Sequence, residues 1–103
     1  MAYTIAYTRN ADIDLRHEGR LAEAGIRRAA PRFLAGQPTE PSHTRQQVDP
    51  NPFDATWELR LGDLRVYYDV DEVVRIVRVL RIGRKIRERV FVRGVETDLR
   101  DAP

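Results

Sequence analysis

Between residues 81 and 93 the chain carries Arg81, Arg84, Lys85, Arg87, Arg89 and Arg93 against a single carboxylate, Glu88. Arginine's planar fork engages phosphate or carboxylate oxygens two at a time, so this cluster suits a polyanion or an acidic protein tail. The chain as a whole shows no such excess: 18 Lys and Arg stand against 16 Asp and Glu, a formal net charge of +2. The distribution of charge, not its total, points to an anionic partner. Lys85 is the only lysine, a bias that a GC-rich genome would also produce.

Other chemistries find little support. His17 and His43 stand outside any motif and have no carboxylate at metal-ligand spacing. There is no cysteine, hence no thiolate metal site and no disulfide. Gly83 is isolated, so no glycine-rich phosphate loop forms, and no nucleophilic triad signature occurs. Neither a metal nor a cofactor is expected.

Four segments must position the cluster. Tyr3 to Thr8 alternates and is rich in strand formers. Asn10 or Asp12 is suited to cap a helix. Ile13, Leu15, Leu21, Ala24, Ile26, Ala29, Ala30, Phe33 and Leu34 then suit a helical pair broken at Gly19, bent or limited by Pro31 and stopped at Gly36. Residues 37–56 hold Pro38, Pro41, Pro50 and Pro52 and are expected to form a long loop.

From Trp57 the pattern turns to strands. Trp57, Leu59 and Leu61 share one side of a strand; Glu58 and Arg60 share the other. A Gly62-Asp63 turn leads to a strand with Leu64, Val66, Tyr68 and Val70 on one face and Arg65, Tyr67 and Asp69 opposite. After Asp71-Glu72, the segment 73–82 is β-branched, with Val74, Ile76, Leu80 and Ile82 as its apolar parity set. A strand apolar on both faces is expected at the centre of its sheet. A last basic segment ends near Arg93.

The expected architecture is α+β: a small twisted, mainly antiparallel sheet with an N-terminal helical pair on one face. The other face would show Arg65, Tyr67, Arg75 and Arg81. At 103 residues the chain fits one domain, 1–103. No apolar run approaches the ~20 residues of a membrane helix, and no charged-then-apolar leader precedes Tyr3. The expected location is the cytoplasm, with no membrane partner.

The opening strand, the helical pair, WELRLGDLRVYYDV (57–70) and VVRIVRVLRIGRKIRERVF (73–91) together resemble the RelE/ParE superfamily of bacterial toxin–antitoxin modules. The resemblance spans nearly the whole chain except the proline-rich loop. It implies a toxin neutralised by a wrapping antitoxin, whose acidic or amphipathic segment would cover the basic cluster. RelE-like members cut messenger RNA on the ribosome without metal; ParE-like members inhibit DNA gyrase.

Metal-free RNA cleavage uses the 2′-hydroxyl as nucleophile and needs a base, an acid, and cations for the developing phosphorane charge. The resemblance implies that Arg65 contacts the scissile phosphate and that Lys85 stabilises phosphate or acts as acid. Arg60, Arg81, Arg84 and Arg87 would hold further phosphates. Two departures stand out. Phe91 replaces a tyrosine often found near the end of the motif, and Thr56 and Glu58 stand where some members carry lysines. Glu58 or Tyr67 is then the expected proton acceptor, although neighbouring cations would lower the Glu58 pKa and Tyr67 titrates ordinarily near 10. Three functions follow: a ribosome-dependent endoribonuclease, favoured; a non-enzymatic gyrase binder; or a degenerate, antitoxin-binding member.

Overall fold

The computed structural model describes residues 2–48 and 51–97. Its elements are β1 (Thr4–Tyr7), α1 (Arg9–Glu18), α2 (Arg20–Leu34), β2 (Arg45–Gln47), β3 (Trp57–Leu61), β4 (Leu64–Asp71), β5 (Ile76–Ile86), β6 (Arg89–Val92) and β7 (Val95–Thr97). All seven strands form one sheet in the order β2-β3-β4-β5-β6-β7, with β1 joined parallel to β5. Every other pairing is antiparallel. The expected α+β class holds, and β5 is central as its composition requires: it borders β4 along one edge and β1, then β6, along the other.

The helix start differs from expectation. Thr8, not Asn10 or Asp12, caps α1: its hydroxyl accepts from the Ala11 N–H at 3.1 Å and donates to Leu80 O at 2.9 Å. The second bond explains the choice, because only residue 8 sits at the end of a strand beside β5. Gly19 divides the helices at φ 103°, a region costly for residues with a Cβ. Pro31 lies inside α2 near its end, and the helix runs on to Leu34.

Both helices cover one sheet face. Ala11, Leu15, Ile26, Ala30 and Leu34 close on Trp57, Leu59, Val66, Tyr68, Val77, Val79 and Ile82. This core contradicts the parity expected for β5. Val77 and Val79 are fully buried there, whereas Leu80 packs on the opposite face. The cause is a β-bulge: Tyr68 pairs with Val79 but Tyr67 pairs with Arg81, leaving Leu80 as the extra residue. One added residue reverses the side-chain alternation beyond it. The strand also begins at Ile76, since Val73, Val74 and Arg75 belong to a turn in which Arg75 has φ 58°.

The proline-rich segment is more ordered than expected. Arg45–Gln47 pair with β3 as an edge strand. The buried Asn51 side chain accepts from the Phe53 and Ala55 N–H groups and donates to Ala55 O, holding a tight local turn. Tyr68 donates its hydroxyl to Pro38 O and so ties the loop to the sheet. The loop delivers Phe53 and Ala55 to the face away from the helices, where they join Tyr67, Val90 and Val92 in a second apolar cluster. That face is therefore not the open basic surface expected. Arg65 and Tyr67 are buried, and Arg75 lies at the far turn, bonded to the Tyr3 hydroxyl. Among the described residues, no helix is long and apolar enough to cross a membrane.

Candidate functional site

On the sheet face away from the helices, β3 and β4 set four polar side chains in a square. Glu58 stands opposite Tyr67, and Arg60 stands opposite Arg65. The square extends along the ladder to Gln46 on β2 and to Arg81 and Gly83 on β5. Alternation along each strand produces the group, since residues two apart share a face.

Its members are unequally satisfied. Arg60 donates to Glu58 at 2.9 Å and to Gln46 at 3.0 Å. Glu58 is only 6% exposed, and its carboxylate accepts from Arg60 on one oxygen while also acting on the Tyr67 hydroxyl. Arg65 differs: its Nη1 donates to Gly62 O at 2.7 Å and Leu64 O at 2.9 Å, and among the described residues it meets no carboxylate. A guanidinium carries five N–H donors. A buried one served by two carbonyls alone keeps both charge and donors for an anion.

Tyr67 is fully buried, and its hydroxyl makes no hydrogen bond of good geometry among the described residues, although the Glu58 carboxylate opposite it is near enough to act on it as an acceptor. Burial pushes its pKa far up, and the nearby Glu58 carboxylate raises it further, while Arg65 and Arg60 pull against that rise. Tyr67 thus stays protonated at neutral pH. It suits hydrogen-bond donation and not the proton-accepting role expected of it.

Two groups cover the square. Phe53 packs on Tyr67 with ring centroids 5.0 Å apart, and the Arg81 guanidinium lies 5.5 Å from the Phe53 centroid. From the other side come Val90 and Val92. Gly83 permits their approach: a Cβ there would meet Val90 Cγ1 at 3.0 Å and Phe91 O at 3.2 Å.

The other expected residues disperse. Arg84 donates to Glu18 of α1 at 2.8 Å, and Lys85 lies 3.5 Å from Glu88. Arg87 sits exposed in the β5–β6 turn at φ 49°, with no ion pair or hydrogen bond among the described residues. Phe91 alternates with Val90 and Val92 and faces away from the square. The linear cluster is therefore not a spatial one.

Asp14 belongs to no motif, yet it is a hub of the fold. This fully buried carboxylate accepts from Arg81 Nε at 2.8 Å, Arg93 Nε at 2.6 Å and the Ile82 N–H at 3.0 Å. The Ile82 N–H is free for it because β1 has ended and β6 has not begun along that edge of β5. A signal was present: Asp14 falls at the spacing of Ala11 and Leu15, on the apolar stripe of α1.

No family model matches this chain, and no curated protein matches it. Among solved structures, a chain of the RelBE2 toxin–antitoxin complex from Mycobacterium tuberculosis has the same fold. The two align with a TM-score of 0.63 over 82% of this chain and 100% of that one, at 21% sequence identity.

Proposed function

We propose that this chain is the toxin of a toxin–antitoxin pair of RelE type, acting on ribosome-bound messenger RNA in the cytoplasm. The observation that carries the reading is Arg65: a buried guanidinium without a carboxylate, on a fold shared with a chain of a toxin–antitoxin complex. Arg65 binds the scissile phosphate, and Lys85, on the same face two residues beyond Gly83, adds charge. Tyr67 donates to the phosphorane or the leaving oxygen. Glu58 takes the 2′-proton once Arg60 turns to a neighbouring phosphate; Arg87, exposed and unpaired among the described residues, is left to meet a further phosphate, whereas Arg81 and Arg84 are held by Asp14 and Glu18. A cognate antitoxin supplies carboxylates to the same face.

One observation favours the non-enzymatic alternative, in which the chain binds DNA gyrase. Glu58 is already paired and Tyr67 is held protonated, so neither is a ready base. Pulse-labelling of protein, RNA and DNA synthesis after induction separates the two. The nuclease reading expects protein synthesis to stop first, with cut mRNA. A DNA-damage response with translation intact would favour the gyrase reading, and absence of toxicity would favour a degenerate antitoxin binder.

A further inference from the structure

A cavity of about 220 Å³ lies where the start of α1 meets the proline-rich loop, lined by Thr8, Asn10, Pro52, Phe53, Leu80 and Arg81. We infer that it is a nucleobase subsite, one that takes a base presenting two hydrogen-bond acceptors. The inference rests on the RNA-directed reading above and extends it to a specificity pocket.

Size and wall chemistry argue for a flat ring. An apolar cavity of about 150 Å³ holds benzene, so this one has room for a substituted or bicyclic ring. Pro52, Phe53 and Leu80 supply apolar and aromatic wall, the surface on which bases stack. The Arg81 guanidinium already lies against the Phe53 ring, and an aromatic ring with a guanidinium is a favourable setting for a π-system.

The polar wall offers donors. Asn10 Oδ1 accepts from Arg93 Nη2 at 2.9 Å. Arginine can only donate, so the Asn10 amide orientation is settled and its Nδ2 is left over. Arg81 spends Nε and Nη2 on Asp14, which pins the guanidinium, and Nη1 is left over. Neither Nδ2 nor Nη1 has an acceptor among the described residues. The Thr8 hydroxyl is already engaged on both sides. Two donors with no offered acceptor match the O6 and N7 of guanine and mismatch adenine, whose N6 is a donor.

Position links the cavity to Arg65. Arg81 precedes Gly83, the partner of Arg65, by two residues on β5, a rise of about 7 Å. That is near the distance between a nucleotide's base and its own phosphate. A base in the cavity would direct its phosphate toward the Gly83 end of the same ladder, where Arg65 pairs.

The test uses the purified full chain, labelled with ¹⁵N, titrated with guanosine and adenosine, which carry no phosphate. The expected result is a shift of the Asn10 side-chain amide, with guanosine binding about tenfold tighter than adenosine, the lower range of one two-point base contact. Phe53→Ala should abolish both. Asn10→Asp keeps the Arg93 contact but turns the donor into an acceptor, and should erase the guanosine preference while the spectrum stays folded. No shift with either nucleoside, or a preference that survives Asn10→Asp, would overturn the subsite. If guanosine binds as expected but induced chain leaves translation intact, the subsite stands and the toxin reading fails. If translation stops and no nucleoside moves Asn10, the reverse holds.

Discussion

Two buried polar groups flank the same stretch of β5, and they are built on opposite principles. At the seam with α1, Asp14 faces Arg81, Arg93 and the Ile82 N–H, so every lone pair of the carboxylate has a donor in reach. On the outer face, Arg65 has two carbonyls for five donors, and the Tyr67 hydroxyl has the Glu58 carboxylate nearby but no hydrogen bond of good geometry among the described residues. A fully satisfied buried network specifies and holds structure, whereas a partly satisfied one is a standing cost that folding alone does not justify. The first group locks α1 and the β6–β7 turn onto the sheet. The second is the group to which the proposed function assigns a ligand.

Breaking the satisfied group should have the largest effect. Asp14→Ala leaves two arginines and a backbone N–H uncompensated, and about 3–5 kcal/mol of stability should be lost. Urea unfolding measures it; a loss below about 1 kcal/mol, the scale of an ordinary hydrogen bond, would show that the hub is not structural.

Gly83→Val tests the cover over the unsatisfied group. A Cβ at 3.0 Å from Val90 Cγ1 must displace β6, at a cost of about 1–3 kcal/mol typical of overpacking. Thermal unfolding should register it, and Tyr67 should become accessible to solvent quenchers.

Tyr67→Phe sharpens the contrast from the other side. Removing a buried hydroxyl without a well-formed hydrogen bond should raise stability by up to about 1 kcal/mol, while, on the proposed toxin reading, toxicity on induction should fall. A stability loss comparable to that of Asp14→Ala would mean the two groups are alike after all.

An alkaline titration adds a further distinction. The folded-state pKa values of Tyr67 and Tyr68 are raised, chiefly by burial. Protonated tyrosine is thus favoured by the folded state, so their contribution is complete below the ordinary pKa near 10. It is lost as pH climbs from there through the folded values. Absorbance at 295 nm should show these two phenols ionising only with unfolding, and Tyr67→Phe should lessen the alkaline loss.

The smallest effect belongs to the surface. Arg89 meets Glu96 at 3.1 Å with 66% of its side chain exposed. Arg89→Ala should alter stability by less than about 0.5 kcal/mol, and the difference should vanish in high salt.

Much of the fold was legible because local patterns carried it. The period-two runs of 57–61 and 64–70 identified β3, β4 and their faces, and Gly19 separated the helices. Glu58, Arg60, Arg65 and Tyr67 were assembled on one face by parity alone. What parity could not show was the bulge at Leu80, which reversed the expected faces of Val77, Val79 and Leu80. Nor could composition show that Arg45–Gln47 would find an edge to pair with.

The residue order by itself determined β1, β3, β4 and the body of β5, the helical pair and the placing of Arg65 beside Tyr67, because each depends on neighbours within a few positions. Only the tertiary structure decided which charges were free. Arg84 found Glu18, and Arg81 and Arg93 found Asp14, across 66 to 79 positions of chain. Charge neutralisation acts through space at a few ångströms, so a run of arginines dense along the chain was dispersed in the fold, and the buried Arg65 emerged as the one to watch.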